Sequence, residues 1–133
     1  ARARSLCAEM HAGFGALRSH CPMNIEASLP EVGVRVLAEQ SGARDDLARI
    51  DAMWSEQVAA SGGPFLFGAF SIADAYYAPV VARIRTYGLP LSAAAHAYAD
   101  RLWTAPGVAA WVADALAEKD FLDFEEPYRK SRD

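Results

Sequence analysis

Between Phe65 and Tyr77 the chain sets a helix-start signal, Ser71-Ile72-Ala73-Asp74, inside a run of aromatic and aliphatic residues. A serine at the first helix boundary accepts a hydrogen bond from one of the unpaired N–H groups there. An acidic residue three positions on reaches back to the serine's own N–H. A carboxylate in the first turn also suits the positive end of the helix dipole. Here the polar pair stands among Phe65, Phe67, Phe70, Ile72 and Tyr76, so this helix start is expected to be buried. A buried helix start constrains the fold strongly, because its polar groups must find partners within the chain.

The rest of the chain reads as helix. Ala3, Cys7, Met10, Phe14, Leu17 and Cys21 recur at alternating spacings of four and three, which predicts one continuous helix of about five turns ending near Pro22. Pro22, Asn24, Pro30 and Gly33 make 22–40 a long connection, and a short helix within 31–39 would make its length easier to accommodate. Leu47, Ile50, Trp54 and Val58 mark a second long helix over 44–60, closed by Gly62-Gly63-Pro64. A third runs from Ser71 to about Tyr87, with a kink expected at Pro79. A fourth covers 92–104 and a fifth 106–119, with Pro106 suited to a first turn. The charged tail, 120–133, offers Phe121, Leu122, Phe124 and Tyr128 to pack back. Strand-like alternation never persists, nor does any internal repeat. The expected architecture is an all-α bundle of five or more helices within a single domain, 1–133.

Bulk properties narrow the partners. The 133 residues suffice for a real core, and 53% hydrophobic with 23% charged residues is ordinary for a globular chain. A net charge of −4 argues against nucleic acid as a partner, since phosphate binding needs a basic surface. The stretch 61–82 carries only Asp74 as a charge, but Pro64, Pro79 and three glycines interrupt it, so a buried helix explains it better than a membrane span. Cys7 and Cys21 on one helix would lie ~21 Å apart, far beyond disulfide reach. Two unpaired thiols and the absence of a leader-like apolar core near the start fit a reducing cytoplasm. The chain opens without Met and with its apolar stripe already running, so a longer protein with something upstream is expected.

The chemistry-bearing residues are sparse. His11 flanks the first apolar stripe, and read alone it is a half-buried histidine bonded to a neighbour. Glu9 and His11 lie ~160° apart around a helix, so they serve different surfaces. Trp54, Trp103 and Trp111 read as core. His20 and His96 have no companion at metal-ligand spacing, so no metal is expected. Asp45-Asp46 and Glu125-Glu126 read as solvated charge. No Ser-His-Asp or Cys-His arrangement and no phosphate-cradling glycine loop stands out.

The capping pair after Gly-Pro-Phe-Leu-Phe-Gly-Ala-Phe resembles the buried N-capping box of the all-helical C-terminal domain of glutathione S-transferases. The helix order is similar along essentially the whole chain. Glu9-Met10-His11-Ala12-Gly13-Phe14 also resembles the Glu-Ile-His-Lys-Gly-Phe-like motif on the first helix of this domain in bacterial, beta-class members. That resemblance implies that His11 contacts glutathione on its sulfur side and that Glu9 reaches the γ-glutamyl amine of glutathione on a partner subunit. Met10, Phe14, Tyr76 and Arg83 would line the pocket of a hydrophobic electrophile, while Ser71 and Asp74 are structural. Ala12 departs from the motif's lysine, Arg4 stands at a polar-amide position, and Arg83 replaces an aromatic residue. The family staple would pair Phe70 with Ala75, a weak contact.

The resemblance further implies an upstream thioredoxin-like domain that supplies the thiol-activating residue. The thiolate is the nucleophile, and a donor that favours it is needed at neutral pH. This chain would then be the electrophile-side and dimer-forming half of a cytoplasmic glutathione transferase, inactive alone, with glutathione as co-substrate. The alternatives are a non-catalytic transferase-like helical domain used for protein assembly, or an unrelated bundle.

Overall fold

In a computed structural model of the chain, which describes residues 2–24 and 27–118, seven helices follow one another: α1 (Arg2–Ala12), α2 (Gly15–His20), α3 (Pro30–Glu39), α4 (Ser41–Ser61), α5 (Ile72–Tyr87), α6 (Ala93–Thr104) and α7 (Pro106–Glu118). The described residues are joined by no named strand; Phe65 and Gly68 form one isolated bridge. The all-α expectation holds. The tail with Phe121, Leu122, Phe124 and Tyr128, and the Glu125-Glu126 pair, lie outside the described residues.

The central element is α5. Apolar or small residues surround its axis, and ten of its sixteen residues are buried, Tyr77, Val80, Val81, Ile84 and Tyr87 among them. A helix that is apolar nearly all round belongs inside a bundle. It packs against α1, α3 and α6, while α4 packs against α2, α3 and α6, and α7 lies on α6. Three of these helices meet at an aromatic cluster. The Trp54 ring stands edge-on to Tyr77 at 5.8 Å and to Tyr98 at 5.1 Å. All three side chains are fully buried. Trp103 and Trp111, in contrast, are only half-buried.

The first helix is not continuous. It ends at Ala12, and Phe14 takes a left-handed backbone conformation, φ 60° and ψ 31°. Gly13 donates its N–H to the Glu9 carbonyl at 2.7 Å, and a Cβ at this position would stand 2.6 Å from that oxygen. The flanking glycines make the break cheap, and it drops the Phe14 ring into the core at 6% exposure. Burying a phenylalanine is worth ~2–3 kcal/mol, more than the ~1–2 kcal/mol cost of one left-handed residue. Among the described side chains of α1, Leu6 is fully buried and Cys7 half-buried.

Because Phe14 has no side-chain acceptor for the N-terminus of α2, the cap comes from elsewhere. Asp46, on α4, accepts the Leu17 N–H at 3.0 Å. Asp46 is therefore half-buried and structural rather than the solvated charge its sequence context suggested.

The connection after α2 is held by α5. Arg83 donates to the Cys21 carbonyl at 2.9 Å, Tyr87 to that of Pro22 at 2.7 Å, and the Thr86 hydroxyl to that of Asn24. The Leu29 N–H in turn donates to the Thr86 carbonyl at 2.7 Å. One turn of α5 thus satisfies a run of carbonyls that belong to no helix. The anticipated short helix is α3, with Pro30 in its first turn. At Gly33 it comes so close to α5 that a Cβ would lie 1.9 Å from the Tyr87 carbonyl oxygen.

Candidate functional site

Two regions carry the residues singled out in the sequence. One is the α5 N-terminus. Asp74 is completely buried and accepts four hydrogen bonds. Its Oδ2 takes the Ser71 N–H at 2.9 Å and the Ser71 hydroxyl at 3.2 Å. Its Oδ1 takes the Leu66 N–H at 3.1 Å and the Tyr98 hydroxyl at 2.7 Å. Ser71 and Asp74 form the reciprocal capping box. Burial, with Asp74 at hydrogen-bond distance, pushes the Tyr98 hydroxyl well above the ordinary tyrosine range. The phenol therefore stays a donor, and the carboxylate is fully engaged. This arrangement ties the 65–71 loop and α6 to the start of α5; it leaves no lone pair aimed at a ligand.

The aromatic residues around that start divide between two sides. Leu66, Ala73 and Tyr77 go inward, whereas Phe70, Ile72 and Tyr76 are 42%, 70% and 43% exposed. Expected burial of the whole segment is thus corrected for its outer face. The split follows from helix geometry, because Ile72 and Tyr76 stand four residues apart on the side opposite the box. Phe70 packs edge-on against Phe65 at 5.5 Å. Phe70, Ala75, Pro79, Val108 and Trp111 line an apolar groove of about 410 Å³ between α5 and α7.

The second region is α1. Met10 and His11 lie on this helix, and their side chains fall outside the described residues. Glu9 is joined to Arg49 on α4 by a two-pronged ion pair at 2.7 and 3.0 Å. That pairing holds the Arg49 charge more firmly, raising its pKa, chiefly through the hydrogen bond to Glu9.

Phe14, Tyr76 and Arg83, expected in one pocket, are not brought together by a described cavity. Phe14 is core, and Tyr76 faces outward on α5. Arg83 straps the Cys21 and Pro79 carbonyls. Burial lowers its pKa, with the neighbouring Arg18 charge adding to the effect. Sequence spacing gave no sign of Tyr98 as a partner of Asp74, of Arg49 as a partner of Glu9, or of Asp46 as a cap. Each pair is separated by 24 to 40 residues and meets only through helix packing. Among the described residues, no group of three or more His, Cys, Asp or Glu side chains could hold a metal ion. No described helix is long and apolar enough to cross a membrane.

A helical bundle organised around one buried helix whose capping carboxylate is locked inside the core defines an all-α domain of a specific kind. Residues 26–114 match the family model for the glutathione S-transferase C-terminal domain, and the chain belongs to that family. The matched stretch contains the Ser71–Asp74 box and lies downstream of the Glu9–Phe14 motif. No curated protein and no solved structure matched the chain.

Proposed function

We propose that this domain is the electrophile-side and dimer-forming half of a glutathione transferase of the cytoplasm. It would join an upstream thioredoxin-like domain that binds most of glutathione and activates its thiol. The observation that carries the reading is the family match over more than half of the chain. The exposed apolar side chains of Phe70, Ile72 and Tyr76, beside the α5–α7 groove, add support, since such a patch suits contact with another domain or subunit.

In this reading His11 lies near the glutathione sulfur, where an imidazole N–H favours the thiolate. Glu9, held by Arg49, faces a partner subunit and the γ-glutamyl amine of its glutathione. Met10, Phe14, Tyr76 and Arg83 shape the binding of a hydrophobic electrophile, Phe14 and Arg83 from behind the surface. The thiolate attacks the electrophilic carbon, forming the C–S bond as the leaving group departs with its electron pair.

The test is conjugation of glutathione to an aryl chloride by the intact native protein. Measurable turnover is expected, with kcat/KM reduced about tenfold in His11→Ala, a modest loss for one positioned proton donor. A native protein that neither binds nor turns over glutathione, with His11→Ala unchanged in every respect, sinks the proposal. The assembly-module reading would then take its place. The prior engagement of Glu9 by Arg49 is the observation that favours that second reading.

A further inference from the structure

Two cavities line up along α5. One, of about 410 Å³, lies against Phe70, Ala75, Pro79, Val108 and Trp111. The other, of about 300 Å³, lies against Ala82, Arg85, Thr86, Val112 and Leu116. On α5 the lining residues from Ala75 to Thr86 recur at three- and four-residue spacing, so they form one face of that helix. The α7 residues advance with them, 107 to 111 in the first cavity and 112 to 116 in the second. The cavities are therefore the two ends of one groove, along which α5 and α7 run in the same direction. Small side chains open it. Ala75, Ala78 and Ala82 stand where longer ones would close the space towards α7, which lies on α6.

From Ala75 to Thr86 the groove is ~16 Å long at the helical rise of 1.5 Å per residue. Trp111 and Val112 are half-buried along it, and Leu116 is 38% exposed. Arg85 marks one end, its guanidinium 5.0 Å above the Trp103 ring and 3.8 Å from Asp100, both charged side chains well exposed. Helix α7 finishes at that same end, because Glu118, its last residue, follows Leu116 by two positions. The chain thus continues from the mouth of the groove. What continues is Lys119-Asp-Phe-Leu-Asp-Phe-Glu-Glu126, in which Phe121, Leu122 and Phe124 alternate with four acidic residues. Phe124 follows Glu118 by six residues, a reach of up to ~20 Å in extended chain, enough to arrive at the Phe70 end. The chemistry of segment and groove is complementary. Aromatic rings meet Trp103 and Trp111, and carboxylates meet Arg85.

We propose that the segment after α7, residues 119–126, turns back and occupies the α5–α7 groove of its own chain, with Phe124 seated at the Phe70 end. Ile72 and Tyr76 line neither cavity, so filling the groove leaves the apolar patch on the outer face of α5 in place. The proposal is independent of whether the domain takes part in sulfur transfer.

The experiment puts a photo-cross-linker into the intact native protein as Phe124→benzoylphenylalanine and maps its links by mass spectrometry. Mixing ordinary with isotope-labelled chains separates links within a chain from links between chains. The expected link joins position 124 to residues 70–79 or 107–111 of the same chain. At Gly107, which lines that end of the groove, a Cβ would meet nothing within 4 Å. Gly107→Trp should therefore block the groove without disturbing the core, and the yield of this link should fall several-fold. A link to the groove of another chain assigns the groove to a second copy and overturns the proposal. So does a link only to another face or another domain, or no link at all. An undiminished yield in Gly107→Trp overturns it as well. Should Gly107→Trp fail to fold, the isotope-resolved link in the protein with Gly107 intact decides alone. Glutathione is absent throughout, so failure here leaves the transferase reading untouched.

Discussion

Glu9 and Arg49, forty residues apart, clasp α1 to α4 through both carboxylate oxygens at 2.7 and 3.0 Å. Both side chains remain partly exposed, 31% and 46%, so solvent screens the attraction. Removing Arg49 as Arg49→Ala should cost less than ~1 kcal/mol in urea unfolding, the range for exposed pairs. If Glu9 contacts glutathione across a dimer, the same variant should raise the KM for glutathione several-fold, since the carboxylate loses its support. An unchanged KM with an unchanged kcat would remove Glu9 from that role.

The buried carboxylate at the start of α5 should be the most sensitive polar group in the domain. Asp74→Ala strands the Leu66 and Ser71 N–H groups and the Tyr98 hydroxyl, and is expected to cost ~3–5 kcal/mol. Tyr98→Phe removes a single donor and should cost ~1–2 kcal/mol. Chemical denaturation of both variants checks the ordering; a milder Asp74→Ala than Tyr98→Phe would contradict the network.

Two glycines should behave oppositely. Gly33→Ala forces a Cβ to 1.9 Å from the Tyr87 carbonyl oxygen, so α3 must separate from α5, at a cost of several kcal/mol, of order ~3. At Gly15, at the start of α2, a Cβ would have no neighbour within 4 Å. Gly15→Ala should therefore be neutral or stabilise by up to ~1 kcal/mol through the unfolded chain. Paired urea midpoints for the two variants test the close approach of α3 and α5.

Alkaline pH should weaken the fold through Cys21. Burial pushes its thiol from 9.0 up to about 11, with Arg83 partly opposing the change. Below pH 9 the thiol is protonated whether folded or unfolded, and its contribution is fully present. Between pH 9 and about 11 the unfolded chain releases the proton and the folded one retains it, so stability falls as pH rises. A shift of that size amounts to ~2–3 kcal/mol lost across the window. Cys21→Ala should flatten this part of the pH–stability curve. Near pH 8, half-buried Cys7 should react with a thiol reagent well before Cys21.

Phe14 combines a left-handed backbone with a buried ring. Phe14→Gly relieves the backbone cost of ~1 kcal/mol but forfeits ring packing worth ~3–5 kcal/mol. A net loss of ~2–4 kcal/mol is expected by calorimetry, and a stabilised variant would mean that the ring contributes little.

The helical character of the chain was legible in local periodicity. Apolar residues at three- and four-residue spacing marked α4 to α7, and Gly62 and Pro106 marked boundaries, because those signals act within a few neighbouring residues. The Ser71–Asp74 box was equally local and formed as expected. The break at Gly13-Phe14 was hidden, since the stripe from Cys7 to Cys21 continued through it. Only burial of the Phe14 ring against other helices outweighed the backbone cost. Likewise Asp46 read as surface charge until packing set α4 beside the uncapped end of α2.

The sequence by itself therefore determined the secondary structure class, the central buried helix and its cap, each being a matter of hydrophobic period and short-range hydrogen bonding. Tertiary structure decided which polar groups would meet. Arg49 found Glu9, Tyr98 found Asp74, and Arg83 reached the turn after α2. Such encounters depend on the distance and rotation between packed helices, quantities that side-chain volumes across the whole core set together and that no stretch of sequence encodes alone.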